Sequence, residues 1–123
     1  METISAHDLC ALLVQAGAPE KLCYLFDRLY VLPTDEEVEA VLRDDRTNLD
    51  RFTPEINDCD NFALRVMAAM SGRCFGMAIV TLPGGGLHAV NIYVNTERRV
   101  RLIEPQTDQA FTGYTAILGV MFA

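Results

Sequence analysis

The sequence predicts an α+β domain in which N-terminal helices are followed by an antiparallel sheet. Three observations carry this. Up to about Met70 the apolar residues recur at helical spacing between recognisable caps. Beyond Gly72 the period changes to that of strands, interrupted by glycine-rich or polar turns. The chain has 123 residues, half of them apolar, which suits one domain with a modest core. The domain is therefore drawn as 1–123, with a helical part over 1–50 and a cysteine-bearing helix plus sheet over 52–122.

Taken in order, a first helix is expected over Ala6–Ala16, capped by Ser5 and ended by Gly17. Pro19 suits the first position of a second helix running to Tyr30, with Leu22, Leu25, Phe26 and Leu29 on one stripe. Thr34 and Glu37 form a capping box for a third, which turns Val38, Val41 and Leu42 inward. The polar segment 43–55 reads as a loop. A fourth helix starts at Asn57-Asp58-Cys59 and stops at Ser71-Gly72-Arg73. Strands are expected over Cys74–Leu82, Leu87–Val94, Arg99–Glu104 and within Tyr114–Phe122, with Pro83-Gly84-Gly85-Gly86 as a turn.

Composition narrows the function. A net charge of −7 disfavours nucleic acid and anionic membranes as partners, and Arg98-Arg99-Arg101 is the only basic cluster. No apolar run is long enough to cross a bilayer, and Met1-Glu2-Thr3 does not open a signal peptide, so a cytoplasmic location is expected. The four cysteines show no metal-ligand spacing. Cys10, Cys23 and Cys74 read as small buried hydrophobes, whereas Cys59 sits among polar residues at a helix start.

That setting makes Cys59 the candidate nucleophile. The positive end of a helix favours thiolate, although Asp58 and Asp60 oppose it. His88 is the candidate cationic partner; His7 reads as surface or structural. Val90, Ile92 and Val94 share a face with Val100 and Leu102 when paired numbers have an even sum. A three-residue turn sets 94 opposite 98 and 88 opposite 104, and a five-residue turn is expected to keep that register. His88 and Glu104 then face each other, Cβ atoms about 4.5–5.5 Å apart. Cys59, His88 and Glu104 would be nucleophile, base and orienting acid. The oxyanion donors would be the Cys59 backbone N–H and a side-chain amide, Asn57 or Gln106. Each residue also has a structural reading. Cys59 shares a stripe with Phe62, Val66 and Met70, and a lone strand-end histidine or carboxylate is commonly structural.

Asp58-Cys59-Asp60-Asn61-Phe62-Ala63, His88-Ala89-Val90-Asn91 and Ile103-Glu104-Pro105-Gln106-Thr107 together resemble the papain-like cysteine peptidases in their reduced forms, such as the protease domain attached to a fairy-ring mushroom lectin. The resemblance covers Phe52–Thr107. More distantly the chain is similar to bacterial transglutaminase-like and NlpC/P60 peptidases, without the Ser-Gly that follows the cysteine in the latter. It implies a minimal papain-like fold with the nucleophile at a helix N-terminus, and a Cys59–His88–Glu104 triad cleaving peptide or isopeptide amides through a thioester. It also implies calcium, for which Asp58, Asp60 and Glu104 offer oxygen ligands; the plainer reading of Asp58 and Asp60 is cap and first-turn carboxylates, with no cofactor. The expected partner is a protein or peptide substrate, and a homodimer stands open. Two other functions remain: transglutaminase-type acyl transfer, and a non-catalytic phage- or secretion-associated binding module on the same scaffold.

Overall fold

The computed structural model describes residues 1–123. Its elements run β1 (Thr3–Ser5), α1 (Ala6–Gln15), β2 (Cys23–Leu25), β3 (Leu29–Val31), α2 (Asp35–Asp44), α3 (Cys59–Ala69), β4 (Phe75–Thr81), β5 (Leu87–Val94), β6 (Val100–Glu104), β7 (Gln109–Ala110) and β8 (Ala116–Phe122). Three helices and two sheets make an α+β fold. The larger sheet has the order β2-β8-β4-β5-β6-β7, and β1 and β3 form a separate pair. Every pairing is antiparallel except β2 with β8.

The alternation of side chains along β5 decides how the layers stack. Val90, Ile92 and Val94 join Leu102, Val120 and Phe122 on one face, where Leu9 and Leu13 of α1 cover them. Tyr93 points the other way, with Phe75 and Ile103, onto Val38 and Leu42 of α2 and Val66, Met67 and Met70 of α3. The sheet is thus sandwiched between α1 on one side and α2 with α3 on the other. In the centre, Gly76 of β4 lies so close to the Met121 carbonyl of β8 that any Cβ would collide with it.

The side-chain caps Ser5 and Thr34 are formed, while the Glu37 carboxylate faces Arg73 at 3.9 Å and does not return to the Thr34 N–H. Ser5 Oγ accepts from the Asp8 N–H at 3.1 Å, and Thr34 Oγ1 from the Glu37 N–H at 3.0 Å. Gly17 takes φ 111°, the left-handed conformation that ends a helix without a Cβ clash.

Residues 19–30 depart from expectation. A single 3-10 turn over Glu20–Leu22 is followed by two three-residue strands. Backbone pairing with distant segments outweighs the local helical stripe: Cys23–Leu25 bonds to Val120–Phe122, and Leu29–Val31 to Thr3–Ser5. Leu22, Phe26 and Leu29 of that stripe stay exposed. The helical part over 1–50 is therefore helix and strand mixed.

The β5–β6 register also differs. Asn95–Arg99 make a five-residue turn closed by the Asn95 side chain, whose Oδ1 accepts from the N–H groups of Glu97 and Arg99 at 3.0 Å. Val94 then pairs with Val100 and Ile92 with Leu102. The extra two turn residues slide the pairing by two, so the expectation that both turn lengths give one register is wrong. The face is preserved, because a shift of two returns every side chain to the same side.

Candidate functional site

The first turn of α3 is organised by its own polar residues. Asp58 stands at the cap; its N–H donates to Asn61 Oδ1 at 3.1 Å and its Oδ2 accepts from the Glu55 N–H at 3.2 Å. Cys59 is the first helical residue and is half-buried. A hydrogen bond shared with Asp60, then desolvation and the Asp60 charge, hold the Asp58 carboxyl above the usual carboxylate range.

Helix α3 is pinned to the sheet by the fully buried Asn91, whose Nδ2 donates to the Ala63 carbonyl at 2.8 Å and the Gly76 carbonyl at 3.0 Å. The helix runs in the direction of β5, since Val66, Met67 and Met70 pack with Tyr93 further along. Cys59 lies one turn before Ala63, about 6 Å back along the axis, and His88 lies about 10 Å before Asn91 along the strand. The helix start is therefore carried to the beginning of β5.

At that end of β5, His88 Nε2 is 2.5 Å from Glu104 Oε1, with both side chains less than one-fifth exposed. The shifted register makes the two residues diagonal neighbours instead of directly opposed ones, a separation that long side chains span. Glu104 Oε2 accepts from the Gln106 N–H at 3.3 Å, so both carboxylate oxygens are engaged.

The other sequence-derived residues are not drawn into one constellation. No hydrogen bond joins the Cys59 thiol to His88. The Asn57 amide donates to the Arg51 carbonyl at 2.7 Å and accepts from Arg65 Nη2 at 2.6 Å, which ties it into the preceding loop. Gln106 meets the pair through its backbone. Asp58 and Asp60 face each other, and no group of three or more His, Cys, Asp or Glu side chains is arranged to hold a metal ion. Cys10 and Cys23 are half-buried, so only Cys74 is the enclosed cysteine expected of all three. Burial pushes the Cys74 thiol up to about 12; desolvation and the neighbouring Cys10 push Cys23 up to about 11.

Sequence reasoning missed what lies behind the histidine. Phe111 packs on His88 at 5.6 Å between ring centroids, and Tyr114 stacks on Phe111 at 6.1 Å with 21° between planes. With Val100, Arg101, Leu102, Ala110 and Thr112 they line a groove of about 440 Å³. The only signal was two aromatics three residues apart in a stretch without regular structure.

The fold itself is one already seen. Over 98% of its length the chain matches 51% of the PSL1a chain in a complex with E64, at a TM-score of 0.85 and 20% identity. It likewise matches 49% of the chain of Polyporus squamosus lectin bound to the human-type influenza-binding epitope Neu5Aca2-6Galb1-4GlcNAc, at 0.81 and 20% identity. Likeness at that identity establishes the fold, and the chain spans about half the length of each of those chains. No protein-family profile and no curated protein sequence matches it.

These findings correct the peptidase reading. One of the two chains whose fold this chain shares is described as a lectin, so the assignments as papain-like cysteine peptidase, cysteine hydrolase or thiol protease, and as an enzyme, are withdrawn. Acyl transfer goes with them, because it needs the same activated sulfur. The α+β class stands without its papain-like qualifier. No helix is long and apolar enough to cross a membrane.

Proposed function

We propose that this domain is a carbohydrate-binding module, and that sugars sit in the groove beside β6. The observation that carries the reading is the stacked Phe111–Tyr114 pair. A pyranose has an apolar face of C–H groups and a rim of hydroxyls, so it fits a flat aromatic wall edged by a few polar groups. Thr112, exposed, supplies a hydroxyl along the same groove. His88 and Glu104 act from behind: their bond fixes the imidazole against which Phe111 rests. In this reading Cys59 is a half-buried thiol at the same end of β5, with no chemical step assigned to it. The lectin of similar fold binds a sialylated trisaccharide, which makes that sugar and its asialo form the first ligands to try.

Titration of the isotope-labelled domain with Neu5Aca2-6Galb1-4GlcNAc and with Galb1-4GlcNAc tests this. Saturable amide shifts are expected at Phe111, Thr112 and Tyr114, lost in Phe111→Ala. Amides there that stay still with both sugars up to about 10 mM, weaker than any useful affinity, would overturn the assignment.

A further inference from the structure

Helix α1 and the outer strand of the large sheet bring two thiols to one rim of the fold. In α1, Ala6, Leu9, Cys10 and Leu13 fall on one face at helical spacing. Leu9 and Leu13 are fully buried against the sheet, and Ala6 packs on the same core. The helix lies against β2, where side chains alternate along the strand. Cys23 and Leu25 turn toward the core that α1 covers, and Tyr24 turns away and is exposed. Strand β2 is the outermost of six. Both cysteines are therefore half-buried at an edge, within reach of small solutes.

The two sulfurs meet there. Cys23 Sγ donates to the Pro19 carbonyl at 3.3 Å and has the Cys10 thiol as its hydrogen-bonding neighbour. The chain between them turns back on itself through Gly17, at φ 111°, and one 3-10 turn over Glu20–Leu22. Thiols in such contact need to close only to about 2.05 Å to become a disulfide, a movement that side-chain rotation supplies. The other two cysteines do not compete for the pairing. Cys59 starts α3 on the other side of the sheet, and Cys74 is enclosed.

From this juxtaposition on two packed elements, we propose that Cys10 and Cys23 form a redox modification site, which a small disulfide of the oxidised glutathione class converts to a bond tying α1 to β2. The Cys10 thiolate attacks one sulfur of the small disulfide, displaces one small thiolate and is left as a mixed disulfide. Cys23 then gives up its proton to solvent, attacks the Cys10 sulfur and displaces the second small thiolate. The protein loses two electrons and two protons, and the small disulfide becomes two thiols. Desolvation and then the neighbouring Cys10 push Cys23 up to about 11, which gives the first attack to Cys10 and the resolving one to Cys23. A dithiol reductant reverses the sequence. The pair lies at the β2 edge and the sugar groove beside β6, toward the opposite edge, so neither proposal depends on the other.

Oxidised glutathione at millimolar concentration, added to the folded Cys59→Ser protein and followed by intact mass, tests this. The expected product has lost about 2 Da and retains no adduct, and dithiothreitol restores the starting mass. Trypsin cuts after Lys21, so peptides 1–21 and 22–28, which carry Cys10 and Cys23, are then expected to run as one linked species. The oxidised protein is expected to melt above the reduced one, because the bond closes a loop in the unfolded chain. With Cys23→Ser added, one glutathione is expected to stay trapped on Cys10. A stable adduct without the linked peptides, no reaction at all, or a linked protein that melts below its reduced form would each overturn the inference. A Cys23→Ser protein that takes up no glutathione would overturn the first attack by Cys10.

Discussion

Asp35 and Asp108 line one cleft between α2 and β6 but titrate in opposite directions. Burial alone would raise Asp35, but hydrogen bonds from Asn95 and Tyr93 and the charges of Arg101 and Arg99 outweigh it and hold its carboxyl below the usual range. A carboxylate whose value is depressed in the folded state adds stability above its unfolded value of about 3.9, and that stability is lost as pH falls through the folded value. Asp108, raised by desolvation and Asp45, has the opposite sign: its ionisation weighs against the fold once pH passes about 3.9. Asp35→Asn is therefore expected to lower Tm at pH 7 and Asp108→Asn to raise it, with both differences shrinking as pH falls toward 3. Parallel melting curves at the two pH values check this; two shifts of the same sign at pH 7 would contradict the assignment. Asn91 is the residue on which the placement of α3 rests. Asn91→Ala removes both of its hydrogen bonds to α3 and β4, and a loss of about 1–3 kcal/mol in urea unfolding is expected.

At the scale of elements, the sequence was legible where local chemistry decides the outcome. Ser5 and Thr34 cap the helices they were expected to cap, and β5 has the expected bounds. It was not legible where distant backbone pairing decides. Nothing within residues 19–30 announces that Val120–Phe122 and Thr3–Ser5 wait to pair with them. The His88–Glu104 contact was reached because face parity survives a slip of two, although the turn length was mistaken. Phe111 and Tyr114 escaped notice because no periodicity marks an irregular segment. Gly76 likewise looked like any glycine in an apolar run, and only the packing of β4 on β8 shows that a side chain has no room there. Gly76→Ala should force these central strands apart at a cost of about 3 kcal/mol, the upper range for overpacking. A variant as stable as the parent in denaturant would mean that the β4–β8 approach is looser than described.

For the whole molecule, a six-stranded sheet between two helical layers leaves two concave surfaces, one on each side of β6. One is walled by aromatic rings, and the other is rimmed by carboxylates and arginines. Cys59, at the mouth of α3, belongs to neither wall. The proposed ligand-holding role assigns no chemical step to that thiol. The rate of Cys59 alkylation by iodoacetamide against pH, in the parent and in His88→Ala, tests it most directly, with Cys10 and Cys23 replaced by serine and the enclosed Cys74 left in place. The expected result is the same pH profile in both proteins, since no hydrogen bond links sulfur to imidazole. A thiol that reacts rapidly well below pH 8, and slows when His88 is removed, would contradict the account and restore a reactive cysteine to the site.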